Sequence, residues 1–251
     1  MAELSEIVDF LDVNLRIREL PDYPGALNGL QLENGGVVTR VAAAVDASLP
    51  VVEKAVAAGA DLLVVHHGLF WQGAQRLAGP FYRKIRTAME GGLAIYSSHL
   101  PLDVHPEWGN NALLAAAIGM QVDGAFLDFK GLKTGLLGSL EISPEELRAR
   151  AADVVRGPVH LCRGGPERIR RVGLCTGGAG SQIADAAAAG VDAFITGEGP
   201  HWSFPLAEEL GLHVFYAGHY ATETFGVRAL SEELGRRFEV DACFIDHPTG
   251  L

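Results

Sequence analysis

The sequence predicts an α/β fold of two similar lobes, products of an internal duplication, and three observations carry that reading. Short apolar runs alternate with helical patterns along the chain, part of the first half recurs in the second, and histidines with carboxylates gather where apolar runs end. Strands that alternate with helices pair largely in parallel, since each helix carries the chain back across the sheet. The lobes are expected at 1–125 and 126–251, with room for interleaving in sequence and with a site between them.

The elements follow in order. Leu4, Ile7, Val8, Leu11 and Leu15 have helical spacing and stop before the turn cluster Pro21-Asp22-Tyr23-Pro24-Gly25. Arg40 to Val45 reads as a buried strand. Asp46-Ala47-Ser48 offers an N-cap and Pro50 suits a first helical turn, so a helix is predicted from Leu49 to Ala58. Leu62 to Val65 is a strand, Phe81 to Glu90 a helix closed by Gly91-Gly92, and Leu93 to Tyr96 a strand. Asn110 to Ile118 is an Ala/Leu-rich helix stopped by Gly119. In the second half, Ser143-Pro144-Glu145-Glu146 opens a helix that runs to about Val155. Strands are read at Val159 to Leu161, Val172 to Cys175, Ala193 to Thr196 and Leu212 to Tyr216, with helices at Gln182 to Ala189 and Pro205 to Leu210. A long helix from Thr222 to Phe238 and a short strand near Val240 to Ile245 finish the chain.

The repeat shows at a shift of 131. Arg40, Val41, Ala55, Ala57, Ala58, Gly59 and Asp61 recur as Arg171, Val172, Ala186, Ala188, Ala189, Gly190 and Asp192. Alanine-rich helices inflate such matches. The later run Tyr96-x-x-His99, answered by Tyr216-x-x-His219, supports a true duplication.

Composition narrows the function. A chain of 251 residues, 48% apolar and 20% charged, can bury a substantial core. Its net charge of −11 and lack of a basic stripe argue against a duplex nucleic-acid partner. Three cysteines without a Cys-x-x-Cys pattern suit free thiols in a reducing compartment. No apolar run reaches the ~18 residues of a membrane span, and the acidic start lacks a signal-peptide pattern. The expected location is the cytoplasm.

The chemistry lies in His66-His67, His99-x-x-x-Asp103 and His219-x-x-x-Glu223. Each follows a short apolar strand, and ligands of open α/β sheets bind at the carboxyl ends of strands. Imidazole with carboxylate and no thiolate suits zinc, iron or manganese. Adjacent strand residues point to opposite faces, so His66 and His67 are expected to diverge at the strand end, each to its own ion. Asp103, in the Leu100-Pro101-Leu102 loop, can bridge two ions. His99 and His105 are ligands, donors that orient Asp103, or proton shuttles, against the plainer reading of surface or structural histidines. Gly177 to Ser181 either cradles an anion on its N–H groups or only makes a tight turn. Glu198 is a base or a solvated turn residue.

Taken together, Asn28-Gly29-Leu30-Gln31, His66-His67, Ser98-His99-Leu100-Pro101-Leu102-Asp103, Gly109-Asn110-Asn111, Thr196-Gly197-Glu198 and Ala217 to Glu223 resemble the Nif-three-like dinuclear metal family, also described as GTP cyclohydrolase I type 2 proteins. The likeness spans essentially the whole chain, in the compact bacterial form. It implies a Nif-three-like fold and two divalent metal ions per subunit, held by His66, His67, Asp103, His219 and Glu223. It also implies a toroidal homohexamer. The function expected is hydrolysis of a small-molecule substrate, for example a nucleotide such as GTP, through a metal-bridging hydroxide with His99 moving protons. The alternative is a non-catalytic metal-binding scaffold or a metal-carrying or regulatory protein.

Overall fold

In a computed structural model that describes all 251 residues, thirteen strands build two mixed sheets and one two-stranded ribbon. The strands are β1 Ala2–Glu3, β2 Gly29–Leu32, β3 Val37–Val38, β4 Arg40–Asp46, β5 Leu62–His67, β6 Ala94–Ser97, β7 Gln121–Phe129, β8 Leu132–Ile142, β9 His160–Cys162, β10 Ile169–Leu174, β11 Ala193–Thr196, β12 His213–Tyr216 and β13 Asp241–Phe244. The chain divides into two units. One comprises Met1–Leu102 with Gly226–His247, the other Asp103–Phe225 with Pro248–Leu251.

In the first unit the sheet order is β13-β4-β5-β6-β2. The first three pairings are parallel and β2 runs antiparallel to β6. Strands β4 and β5 are almost continuously buried, as expected of strands covered on both faces. Helix α1 (Leu4–Asn14) buries Leu4, Ile7 and Leu11. Helices α2 (Leu49–Ala57) and α3 (Gly79–Glu90) follow, and their Val51, Val52, Ala55 and Ala88 pack with Leu63, Val65 and Ile95 of the sheet. Each fully buried aliphatic side chain contributes about 1.5–3 kcal/mol.

The second unit has the order β7-β8-β10-β11-β12-β9. Only β10-β11 and β11-β12 are parallel. Two short helices precede this sheet: α4 (Leu100–Asp103), whose last residue opens the unit, and α5 (Asn110–Ala117). Helix α6 (Pro144–Val155) starts on the capping box read from the sequence, with Ser143 and Glu146 bonding reciprocally. A 3₁₀ turn (Ala179–Gln182) leads into α7 (Ile183–Ala188), and α8 (Ser203–Glu209) precedes β12. Helices α9 (His219–Thr222) and α10 (Thr224–Phe238) complete the chain's helices, α10 passing into the first unit from Gly226.

Two backbone contacts of the repeat recur in both copies. Asp61 Oδ2 accepts the backbone N–H of Thr39 at 2.7 Å and of Arg40 at 3.0 Å. Asp192 Oδ2 accepts those of Arg170 at 2.8 Å and Arg171 at 2.9 Å. Gly59 and Gly190 close their helices at φ +70° and +73°, a conformation that favours glycine. Pairing of Leu62 with Ala94 mirrors that of Ala193 with His213. By this register Tyr96 matches Phe215, one residue off the Tyr-x-x-His correspondence.

Several local expectations change. The long hairpin β7-β8 escaped the strand reading, and with β9 it makes the second sheet mostly antiparallel, while the first is largely parallel apart from β2. The N-cap expected within Asp46-Ala47-Ser48 is Ser48, whose side chain accepts from Val51 N, while Asp46 is the last residue of β4. Asp103 ends a one-turn helix, not a loop, and His66 and His67 lie inside β5. No helix is long and apolar enough to cross a membrane.

Candidate metal centre

In the first unit, β5 delivers His66 and His67 in sequence, and the turn after β6 delivers His99. One ligating atom from each of the three lies within 4.8 Å of the others. The pleat alone would send His66 and His67 apart. Their ring centroids are instead 4.8 Å apart, because each ring is turned by an anchor on its Nδ1. His66 Nδ1 lies 3.0 Å from Ser98 O, His67 Nδ1 2.9 Å from Asp46 Oδ1, and His99 Nδ1 2.8 Å from Asp22 Oδ1. An acceptor at Nδ1 puts the proton there and leaves Nε2 as the ligating nitrogen.

The Asp22 side chain, 7% exposed, accepts from Tyr23 N, His99 Nδ1, Asn28 Nδ2 and Leu100 N at 2.6, 2.8, 2.8 and 2.9 Å. Burial acts to raise its pKa. The bonds from His99, Asn28 and Tyr23 outweigh that and hold it below the usual carboxylate range. Asn28 Oδ1 also accepts His99 N at 2.8 Å, so the 22–28 turn fixes both backbone and ring of His99. Trp71 meets the rings of His67 and His99 edge-on, at 5.4 and 4.7 Å between centroids.

In the second unit, α9 starts at His219 directly after Gly218, and His219 Nε2 lies 3.1 Å from Glu223 Oε1. Its Nδ1 bonds Glu198 Oε1 at 2.8 Å, so Glu198 orients His219 and is more than a solvated turn residue. Burial would lower the His219 pKa, but Glu223 and Glu198 more than offset it, and it is raised to about 9. Asp103, buried, takes Asn110 Nδ2 at 2.8 Å and Thr176 Oγ1 at 3.3 Å on Oδ1. Asn111 Nδ2 bonds the Asp103 carbonyl at 3.1 Å, so the paired asparagines hold the aspartate from two directions. Burial, then the charges of Asp103 and Glu223, pushes the Cys175 thiol up, so it stays protonated and offers no thiolate.

Three N–H groups of the glycine-rich segment are engaged within the protein, which favours the tight-turn reading. Gly177 N donates to Thr222 Oγ1 at 3.1 Å, Ala179 N to Thr196 Oγ1 at 3.2 Å, and Gly180 N to Glu198 O at 3.0 Å. Its glycines serve close approach, since a Cβ on Gly177 (φ +71°) would collide with Glu223 Oε1. His105 is held by its own neighbours. It stacks on Trp108 at 4.5 Å, its Nδ1 accepts from Trp108 N at 3.0 Å, and burial lowers its pKa.

These donor sets fit a divalent cation. Imidazole nitrogens held by carboxylates, and carboxylates held by amides and hydroxyls, are the shells that borderline metals take.

The family description Duf34/NIF3 (NGG1p interacting factor 3) matches residues 2–250. The chain belongs to the DUF34/NIF3 family. A GTP cyclohydrolase 1 type 2 homolog of Deinococcus radiodurans is 42% identical over 98% of this chain and 94% of its own length. Another from Archaeoglobus fulgidus is 40% identical over 99% of each. Among solved structures, protein ybgI, described as of unknown function, superposes with TM-score 0.93 at 38% identity, covering 100% of both chains. TTHA1606 from Thermus thermophilus gives TM-score 0.88 at 38% identity, again over 100% of both.

Two carboxylates that anchor histidines of this NIF3 family member were not singled out by the sequence pattern. Asp46 reads as a cap and Asp22 as turn material, yet each orients a histidine of the cluster. A signal existed for Asp22, since Asp-Tyr-Pro-Gly needs no buried carboxylate to turn. Trp71 gave none.

Proposed function

We propose that this NIF3 family member is a metal-dependent hydrolase whose two divalent ions are held by His66, His67, Asp103, His219 and Glu223. The observation that carries the reading is the three-histidine cluster, in which each Nδ1 is engaged, so that Nε2 of His66 and His67 can ligate and Nε2 of His99 can accept a proton. Support comes from relatives named GTP cyclohydrolase 1 type 2 homolog and from the acid-amide shell around Asp103. A nucleotide such as GTP is the substrate class those names suggest.

When bound, a pair of divalent ions lowers the pKa of water and stabilises charge on the attacked and leaving oxygens. The chain's own contribution is orientation and proton handling. Asp46 and Glu198 hold the rings of His67 and His219, and Asn110 with Thr176 fixes Asp103 Oδ1. His99, with its Nδ1 proton on Asp22, offers Nε2 to take a proton from the nucleophile and return it to the leaving group.

Turnover of nucleotides and phosphoesters, measured with added manganese, iron or zinc, tests the reading. Asp103→Asn should lower the rate at least ~100-fold while thermal unfolding stays near that of the parent. Turnover that survives the substitution contradicts it.

A further inference from the structure

Lys84 stands out in a chain with 31 acidic and 20 basic residues. Its ammonium is half-buried on α3 and donates to the Ala47 carbonyl at 2.7 Å, with the Phe81 ring 5.7 Å away. No carboxylate pairs with it, and burial alone lowers its pKa. Withdrawing a cation from water without an anion costs free energy, so the residue calls for a partner.

Lys84 lines a cavity of about 270 Å³ shared with Leu69, Trp71, Gln72, Gln75 and Phe81. Trp71 Nε1 is buried and donates to no group of the protein. That same indole meets the rings of His67 and His99, so one wall of the cavity is also a wall of the histidine cluster. Lys84 reaches the cluster by a second route. Its acceptor residue Ala47 follows Asp46, the anchor of His67, and Ala47 N donates to His67 O at 2.9 Å.

The floor is rigid. Gln31 Oε1 accepts Leu69 N at 2.6 Å, its Nε2 donates to Ala26 O and Leu27 O at 3.0 and 2.9 Å, and a Cβ on Gly68 would collide with the Gln31 amide. This accounts for Gln31 and Gly68, which the metal reading leaves without a task.

We propose that this cavity is a substrate subsite for a phosphate-bearing compound with a planar ring, Lys84 meeting the phosphate and Trp71 and Phe81 flanking the ring. The volume exceeds what a phosphate alone fills, and aromatic walls with two side-chain amides suit a flat heterocycle. Lysine acts toward phosphate as a point charge on a flexible stem. The inference deepens the hydrolase reading by naming where its substrate is gripped, and rests on that reading only for calling the ligand a substrate.

Calorimetric titration of the full chain, metal-loaded and chelator-stripped, tests it with guanosine monophosphate, guanosine and inorganic phosphate. The monophosphate should bind in both metal states, tighter than either guanosine or phosphate. Lys84→Met should weaken the monophosphate about 10-fold or more and leave guanosine unchanged, while Lys84→Arg should retain binding within about 3-fold. Equal monophosphate affinity in the parent and Lys84→Met, or inorganic phosphate binding as tightly as the monophosphate, overturns the subsite. Binding that needs metal and ignores Lys84 overturns it too, while leaving the metal reading standing. Lys84-dependent binding by a protein that takes up no metal upholds the subsite and removes the hydrolase reading instead.

Discussion

Asp22 accepts four hydrogen bonds, from two backbone N–H groups, one amide and one imidazole, and all its oxygen capacity is directed at donors. Asparagine in its place brings an NH₂ group against at least one of those donors. Two facing donors in a buried site cost roughly 1–3 kcal/mol. Asp22→Asn should therefore lower stability by about 2 kcal/mol in urea unfolding. It should also slow turnover about 10-fold or more by freeing the His99 ring, with metal content unchanged. A variant that unfolds like the parent and turns over normally would show that Asp22 is only turn material. His219 differs in kind, because its two ring nitrogens both meet carboxylates and these hold its pKa up at about 9.

At the scale of elements, the repeated strand-helix-strand unit is tied by one aspartate in each copy. Asp61 takes Thr39 N, Thr39 Oγ1 and Arg40 N. Burial raises its pKa, but those bonds and the Arg40 charge outweigh that, and the net direction is down. A depressed carboxylate stabilises the fold above its unfolded pKa, near 3.8, and loses that contribution as pH falls through the lower folded value. Asp61→Asn should be less stable than the parent at neutral pH, and the gap should narrow as pH drops below ~4. A gap that widens on acidification contradicts this, and melting temperature against pH decides it.

Much of this layer was legible. Buried β4, β5 and β11 read as unbroken apolar runs, and the helices between them carried caps and closing glycines. The β7-β8 hairpin was not. Val122 is 49% exposed, a bulge between Val122 and Gly124 breaks the alternation, and the turn at Lys130-Gly131 carries positive φ at both residues without an Asn-Gly signature. The site was legible in its histidines, because they sit where strands end. Their anchors were not, because Asp22 lies 77 residues from His99 and Asp46 lies 21 from His67. No local pattern links residues that only tertiary packing brings together.

Across the molecule the net charge is −11, and no helix is long and apolar enough to cross a membrane. Each unit carries histidines oriented through Nδ1 by acceptors of its own, His66, His67 and His99 in one and His219 in the other. Under the proposed function, two cations per chain depend on ligands from both sets. Metal content per chain, by mass spectrometry after loading and exhaustive dialysis, tests it most directly in the parent, His66→Ala and His219→Ala. Two ions per chain are expected in the parent and one or fewer in each variant. A parent that retains no ion, or a His219→Ala protein that still holds two, would contradict it.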